Sequence, residues 1–136
     1  MEKLKKIKLQ TFTDERGSLT PVEVKDLGDW EAKRVYYLTN VKAARGGHAV
    51  RGEKKVYICV QGVVKARLHD GNDWHEFVLN GPDEAILMNA MCFRDFYEFS
   101  EDAVLMAISS VNYVPDDYIY DLEEFKAEVS KIDQSN

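Results

Sequence analysis

An all-β fold of antiparallel strands, completed by one C-terminal α-helix, is what this 136-residue sequence predicts. Three observations predict it. Between Lys54 and Met88, runs rich in Val, Ile, Tyr and Phe are broken by the turn signals Gln61-Gly62, Asp70-Gly71 and Gly81-Pro82. Within them Val64, Ala66 and Leu68 alternate with Lys65, Arg67 and His69, the period of two that gives a strand one buried and one polar face. After Pro115 the spacing changes to steps of four and three, the period of a helix. So many short strands in a chain of this length favour a sandwich or a barrel.

Taken in order, the elements begin with the N-terminal stretch "MEKLKKIKLQ", basic but without the apolar core of an export signal. In "KRVYYL" (Lys33 to Leu38), Tyr36 and Tyr37 are adjacent on one strand and point to opposite faces, so only one of them lines an interior. Asp70-Gly71 suits a tight hairpin, since glycine accepts positive φ, and the segment around it reads as a meander. "AVLMAISS" (Ala103 to Ser110) is apolar on both parities, as a strand covered on both faces would be. A helix over about 116–132 follows, capped by Asp116. Tyr118, Leu122, Phe125, Val129 and Ile132 form its apolar stripe, which packs on the sheets or on a partner subunit. The tail "DQSN" reads as frayed. One domain over 1–136 is the expectation for this length.

Composition narrows the class of function. Hydrophobic residues make up 45% and charged residues 31%, which fits a globular chain, and no apolar run approaches the roughly 20 residues of a membrane span. A cytoplasmic location is expected. The net charge of −6 opposes nucleic-acid binding, which depends on clustered cations, yet leaves room for a small anionic ligand held by a few arginines. Cys59 and Cys92 lack any CxxC pairing and are expected as buried free thiols.

The residues that carry chemistry centre on "RGGHAVRGE", where His48 is followed by Val50 and Glu53, and on "NAMCFRDFYEF", which holds Phe93, Arg94 and Asp95. One His and one Glu are too few to hold a catalytic divalent ion tightly, so no metal site is expected. "DERGSL" (Asp14 to Leu19), "KRVYYL", "RGGHAV", "CVQGVVKARLHDG" and "FYEFSEDAVLMAIS" through "DDYIYDLEEF" resemble, in order and spacing, the cupin-type sugar-nucleotide 3,4-ketoisomerases. The similarity runs in register from about residue 8 to residue 132.

The resemblance implies a cupin jelly-roll barrel of antiparallel strands that forms a homodimer. It further implies a nucleotide-linked 4-keto-6-deoxyhexose, carried on thymidine diphosphate, bound in the barrel mouth on the way to deoxysugars of surface polysaccharides. The carbonyl would move from C4 to C3 with neither metal nor organic cofactor. The family typically carries His-Ala-His and a third histidine on a later strand. This sequence has His48, Val50 and Arg94 at those places, and Tyr120 where an arginine is usual.

Histidine suits the reaction because its ordinary pKa lies near neutrality, so it serves as base and then as acid. His48 is therefore the expected proton carrier, assisted by Arg94, Tyr97 or Tyr36. Arg94 would polarise the carbonyl, and a tyrosine (Tyr36, Tyr37, Tyr57 or Tyr97) would replace a missing imidazole. Arg16, Arg34, Tyr37, Arg45 and Glu53 are the expected substrate-binding residues. The arginines are placed there for the paired hydrogen bonds a guanidinium offers a diphosphate. Glu53 alternatively orients His48 or lies exposed in a loop. His69 and His75, flanking the hairpin turn, are expected in solvent, and Lys54 and Lys55 keep a strand end soluble. A different class stays open beside the enzyme: a cupin that binds a sugar nucleotide, or an altered epimerase.

Overall fold

The structure, a computed structural model, describes residues 2–135. Two five-stranded antiparallel sheets face each other. The first orders β1 (Leu4–Lys8), β9 (Glu84–Met88), β6 (Lys55–Gln61), β11 (Val104–Ser109) and β4 (Arg34–Leu38). The second orders β12 (Tyr118–Ile119), β5 (Arg45–Val50), β10 (Phe93–Tyr97), β7 (Val63–His69) and β8 (Trp74–Asn80). A separate hairpin pairs β2 (Phe12–Asp14) with β3 (Gly17–Leu19). This is the all-β jelly-roll architecture with a C-terminal helix, built as two facing sheets rather than one continuously paired barrel.

The expected meander between Lys54 and Met88 is only partly present. β7 and β8 form the hairpin around Asp70-Gly71, but β6 pairs with β9 and β11 in the opposite sheet. The turn at Gly62 therefore carries the chain from one sheet to the other. Its physical reason lies in β6, whose residues from Lys55 to Cys59 are buried on both parities, so the strand needs cover on both faces.

Between the sheets lies the main core. Tyr57, Cys59, Ile86, Met88, Leu105 and Ala107 meet Val64, Ala66, Leu68, Leu79 and Phe96 there. The alternation in β7 places Val64, Ala66 and Leu68 inward, as its period requires. On the back of the first sheet, Val56, Ile58, Ala85 and Ile108 are covered by Ile7, Val22, Val24, Leu27 and Trp30. Both parities of β11 are thereby buried. Cys59 and Cys92 are buried and unbonded, and burial pushes their thiols up to about 11 and about 12.

The outer face of the second sheet is covered by α1 (Leu122–Ser135), through Phe125 and Val129 against Ala49, Phe93 and Ile119. The helix starts six residues later than the expected 116, and its cap is Asp121, whose Oδ2 accepts the Glu124 N–H at 2.9 Å. Asp116 lies instead in a 3-10 turn (Pro115–Asp117). Tyr118 and Ile119 leave the expected stripe because they pair with Val50 and Ala49 of β5. Ile132 faces solvent. Gly71, with φ +106°, abuts Val129 so closely that a Cβ there would not fit.

α1 also corrects the reading of His69. The residue faces outward from β7, as its parity demands, yet it is buried because the helix covers that face. Its ring meets Trp74 and Phe125 edge-on, and its Nδ1 accepts the Gly71 N–H at 3.0 Å. His75 is exposed as expected, with Nε2 2.8 Å from Asp70 Oδ2. Among the described residues, no helix is long and apolar enough to cross a membrane.

Candidate active site

A cavity at one end of the space between the sheets is walled by Tyr36, Tyr57, Arg45, His48, Arg94 and Phe96 over a floor of Leu105 and Ala107. Strand register explains the grouping. Residues opposite one another in an antiparallel pair share a face, so Tyr36, Ala107 and Tyr57 form one inward row across β4, β11 and β6. The next row is Arg34, Ser109 and Lys55. From the other sheet, His48 lies opposite Arg94, and Arg45 opposite Phe96.

Regular alternation would put Arg45 and His48, three residues apart, on opposite faces. A β-bulge reconciles them. Gly46 and Gly47 together oppose the single residue Asp95, and both glycines have positive φ, +109° and +74°. A Cβ on Gly46 would lie 2.5 Å from the Arg94 carbonyl oxygen, so the close approach of β5 to β10 also requires glycine. The "RGG" before His48 is thus the device that turns Arg45 and the imidazole into one cavity.

His48 is mostly buried, and its ring packs on Tyr118 with centroids 4.8 Å apart and near Tyr120 at 6.0 Å. Burial, with Arg94 and Lys55 nearby, lowers its pKa to about 4 against the opposing backbone of Gly46 and carboxylate of Glu53. At neutral pH the ring is therefore uncharged and has a free lone pair. Burial raises the Tyr36 phenol, and more strongly that of Tyr57, so both keep their protons.

Beneath the cavity wall sits a buried charged cluster. Arg94 is 1% exposed, and its Nη2 donates to Glu53 Oε1 at 2.8 Å. Glu53 Oε2 accepts from Ser109 Oγ at 2.7 Å and lies 3.2 Å from Lys55 Nζ. Lys55 also stands over the Tyr36 and Tyr57 rings, 4.6 and 5.0 Å from their centroids. Burial outweighs Glu53 and lowers the Lys55 pKa to about 7, while the two cations and Ser109 hold Glu53 below its ordinary value despite burial.

Several expected placements are corrected. Glu53 is neither exposed nor hydrogen-bonded to His48; its carboxylate is turned inward onto the buried cations Arg94 and Lys55 and does not line the cavity. Lys55 is a core residue, whereas its neighbour Lys54, just before β6, is half-exposed beside Asp29. Tyr97 follows Phe96 on β10 and so points away from the cavity. Tyr37 is 65% exposed on the outer face of β4. Arg34 lies behind Tyr36, its guanidinium 4.8 Å from that ring, and does not line the cavity. Arg16 is at the exposed tip of the β2–β3 hairpin, chelated by Asp14 with Nη2 to Oδ2 at 2.6 Å.

His48, Arg94, Tyr36 and Arg45 are brought together. Tyr57 and Tyr118 join them; the sequence offers Tyr57 only as one of four possible replacements for a missing imidazole, behind Tyr36 and Tyr97, and places Tyr118 on a helix stripe. Only the pairing of Tyr118 with Val50 could have disclosed it, and a two-residue strand leaves no periodic signal.

The chain matches the family described as FdtA: WxcM-like, C-terminal, over residues 2–130. A curated relative, the TDP-4-oxo-6-deoxy-alpha-D-glucose-3,4-oxoisomerase of Aneurinibacillus thermoaerophilus, is 32% identical over 130 residues, 94% of each chain. Among solved structures, the sugar 3,4-ketoisomerase QdtA of Thermoanaerobacterium thermosaccharolyticum, in complex with TDP, superposes with a TM-score of 0.86 at 32% identity, covering 95% of this chain and 96% of that one. A 3,4-ketoisomerase from Helicobacter canadensis gives 0.85 at 30% identity, covering 93% and 97%. A two-sheet fold, a cavity end holding one imidazole and one buried guanidinium, and a match along nearly the whole length agree: the chain belongs to the FdtA family, WxcM-like, C-terminal.

Proposed function

We propose that the protein is a sugar-nucleotide 3,4-ketoisomerase that moves the carbonyl of a TDP-4-keto-6-deoxyhexose from C4 to C3. The observation that carries this reading is the pairing of a neutral His48 with a buried, permanently charged Arg94 on one wall of a cavity. The names of its relatives support the substrate class, and a histidine-to-asparagine mutant of QdtA is described in complex with TDP-4-keto-6-deoxyglucose.

In this mechanism the lone pair of His48 takes the proton from C3, and the C3–H electrons form the double bond to C4 as the carbonyl electrons move to O4. Arg94 stabilises the enediolate oxygen, because a fixed cation in a dry site is most effective where charge develops. The Tyr36 phenol gives its proton to O4 and recovers one from O3, whose electrons rebuild a carbonyl at C3. His48 returns its proton to C4. One C–H and one O–H are lost and one of each is gained, so no redox partner is needed. Arg45, exposed at the cavity rim, pairs with the diphosphate.

The proposal includes a cytoplasmic homodimer serving deoxysugar assembly for polysaccharides. Supporting the dimer are Val35 and Tyr37 on the edge strand β4 and Phe12 and Leu19 on the hairpin, all more than half exposed. Sedimentation equilibrium reads that state directly.

The test of function is incubation with TDP-4-keto-6-deoxyglucose in heavy water, following deuterium by NMR. Conversion to the 3-keto sugar is expected, with deuterium at C4 of the product and, through the reverse reaction, at C3 of the recovered substrate, to the extent that the His48 proton exchanges with solvent before its return. A sugar recovered unlabelled and unchanged, with TDP still raising the Tm, would identify a binding protein without this activity.

A further inference from the structure

Three charged side chains of the Glu53 cluster are buried, an arrangement that stability does not explain. Removing each charge from water costs several kcal/mol, and apolar residues of similar volume commonly hold a fold as well or better. The composition is also unbalanced: two cations, Arg94 and Lys55, share one carboxylate. A pair serving only to hold the sheets together would match one charge with one. Here an excess positive charge is left, and the Tyr36 and Tyr57 rings that shelter Lys55 are walls of the cavity.

We propose that Glu53 is a positioning residue of the isomerisation: its carboxylate, fixed by Ser109 and shared with Lys55, holds the Arg94 guanidinium where charge develops on the sugar oxygen. The inference rests on the ketoisomerase reading above. Each oxygen of Glu53 has its own task. Oε1 takes Arg94 Nη2 at 2.8 Å, while Oε2 is tied to Ser109 Oγ at 2.7 Å and faces Lys55 Nζ at 3.2 Å. Arg94 Nη1 makes one further, longer bond of 3.4 Å to the Cys92 carbonyl. The carboxylate thus determines where Arg94 points, and Ser109 determines where the carboxylate points. Because Lys55 shares the carboxylate, Arg94 keeps uncompensated charge to offer the enediolate.

The experiment compares wild type with Glu53→Asp and Ser109→Ala on TDP-4-keto-6-deoxyglucose. Aspartate keeps the charge that compensates the buried cations but draws the carboxylate back from Arg94. It should lower kcat on the order of 100-fold, the scale of a misplacement of about 1 Å. KM and the TDP-induced rise in Tm should stay at their wild-type values, a split that a merely structural role would not produce. Ser109→Ala, which removes one hydroxyl, should lower kcat by roughly tenfold with the same split. A folded, TDP-binding Glu53→Asp or Ser109→Ala with wild-type kcat overturns the clamp. Should Glu53→Asp fail to fold, Ser109→Ala alone decides. A wild type that performs no isomerisation overturns the ketoisomerase reading, and the clamp with it.

Discussion

Burial and the Arg94 guanidinium hold the His48 imidazole neutral down to about pH 4, which fixes the sign of the acid limb of the rate. Its base form is already present at pH 6, so kcat/KM should stay level between about pH 6 and 5 and fall only as pH approaches 4. On the alkaline side, Lys55 gives up its proton above about 7, and the excess charge of the cluster goes with it. The rate should then decline above pH 7, and a Lys55→Arg variant, whose guanidinium stays protonated, should lose that upper limb. A pH profile of both proteins checks the two statements together. His48→Asn should reduce kcat by about 100- to 10,000-fold while TDP still raises the Tm. Arg94→Met leaves a carboxylate buried with one cation fewer. A loss of about 3–5 kcal/mol is expected in urea unfolding, together with loss of activity. At this scale the sequence disclosed His48 and Arg94 through the motifs around them. It named Glu53 but concealed the buried cluster that Glu53 forms with Lys55, because "RGEKK" has the composition of a solvated turn and only strand pairing to Ser109 carries it inside.

Two elements place those side chains. The glycine bulge in β5 brings Arg45 and His48 to one face, and α1 covers the back of the sheet that carries them. Gly46→Ala would force a side chain into a backbone angle that L residues rarely adopt, and against the Arg94 carbonyl. A cost of about 1–3 kcal/mol is expected, with lower kcat in the folded fraction, measured by thermal melting and by assay. Phe125→Ala, at a fully buried position of α1, should cost about 3–5 kcal/mol in the same measurement. Strand and helix identities were legible where a period ran long enough, as in β7 or from Leu122 to Val129. The helix start was not, because Asp116 and Asp121 are equally good caps and the choice is made by Tyr118 and Ile119 joining β5. Nor was the switch of sheets at Gly62, since a tight turn looks the same whether it closes a hairpin or changes layers.

For the molecule as a whole, the neutral burial of histidine sets the response to acid. His48 and His69 both have lowered pKa values in the fold, chiefly through burial, whereas the unfolded chain takes up protons near 6.5. The unfolded state therefore binds more protons below that point. Stability should be complete above pH 6.5 and diminish as pH falls from 6.5 toward 4, with urea midpoints across that range as the readout. Asp70, held to about 2 by the N–H groups of Asp73 and Asn72 and by His75, adds stability that persists above 3.8 and disappears as pH falls through 2. The two sheets contribute unequally to this arrangement: one offers the tyrosines with Lys55 and Ser109, the other the imidazole and the guanidinium, Glu53 in the turn between β5 and β6 ties them, and the reaction chamber exists only where they meet. The extra residue at Gly46-Gly47 gives that meeting an arithmetic condition. Excise one glycine and the strand regains its simple two-step rhythm, so either the arginine at the rim or the imidazole must swing to the helix side. Every amino acid that does chemistry would survive such a deletion, yet the chamber would be disarmed, because here parity of chain length, as much as residue identity, is heritable function.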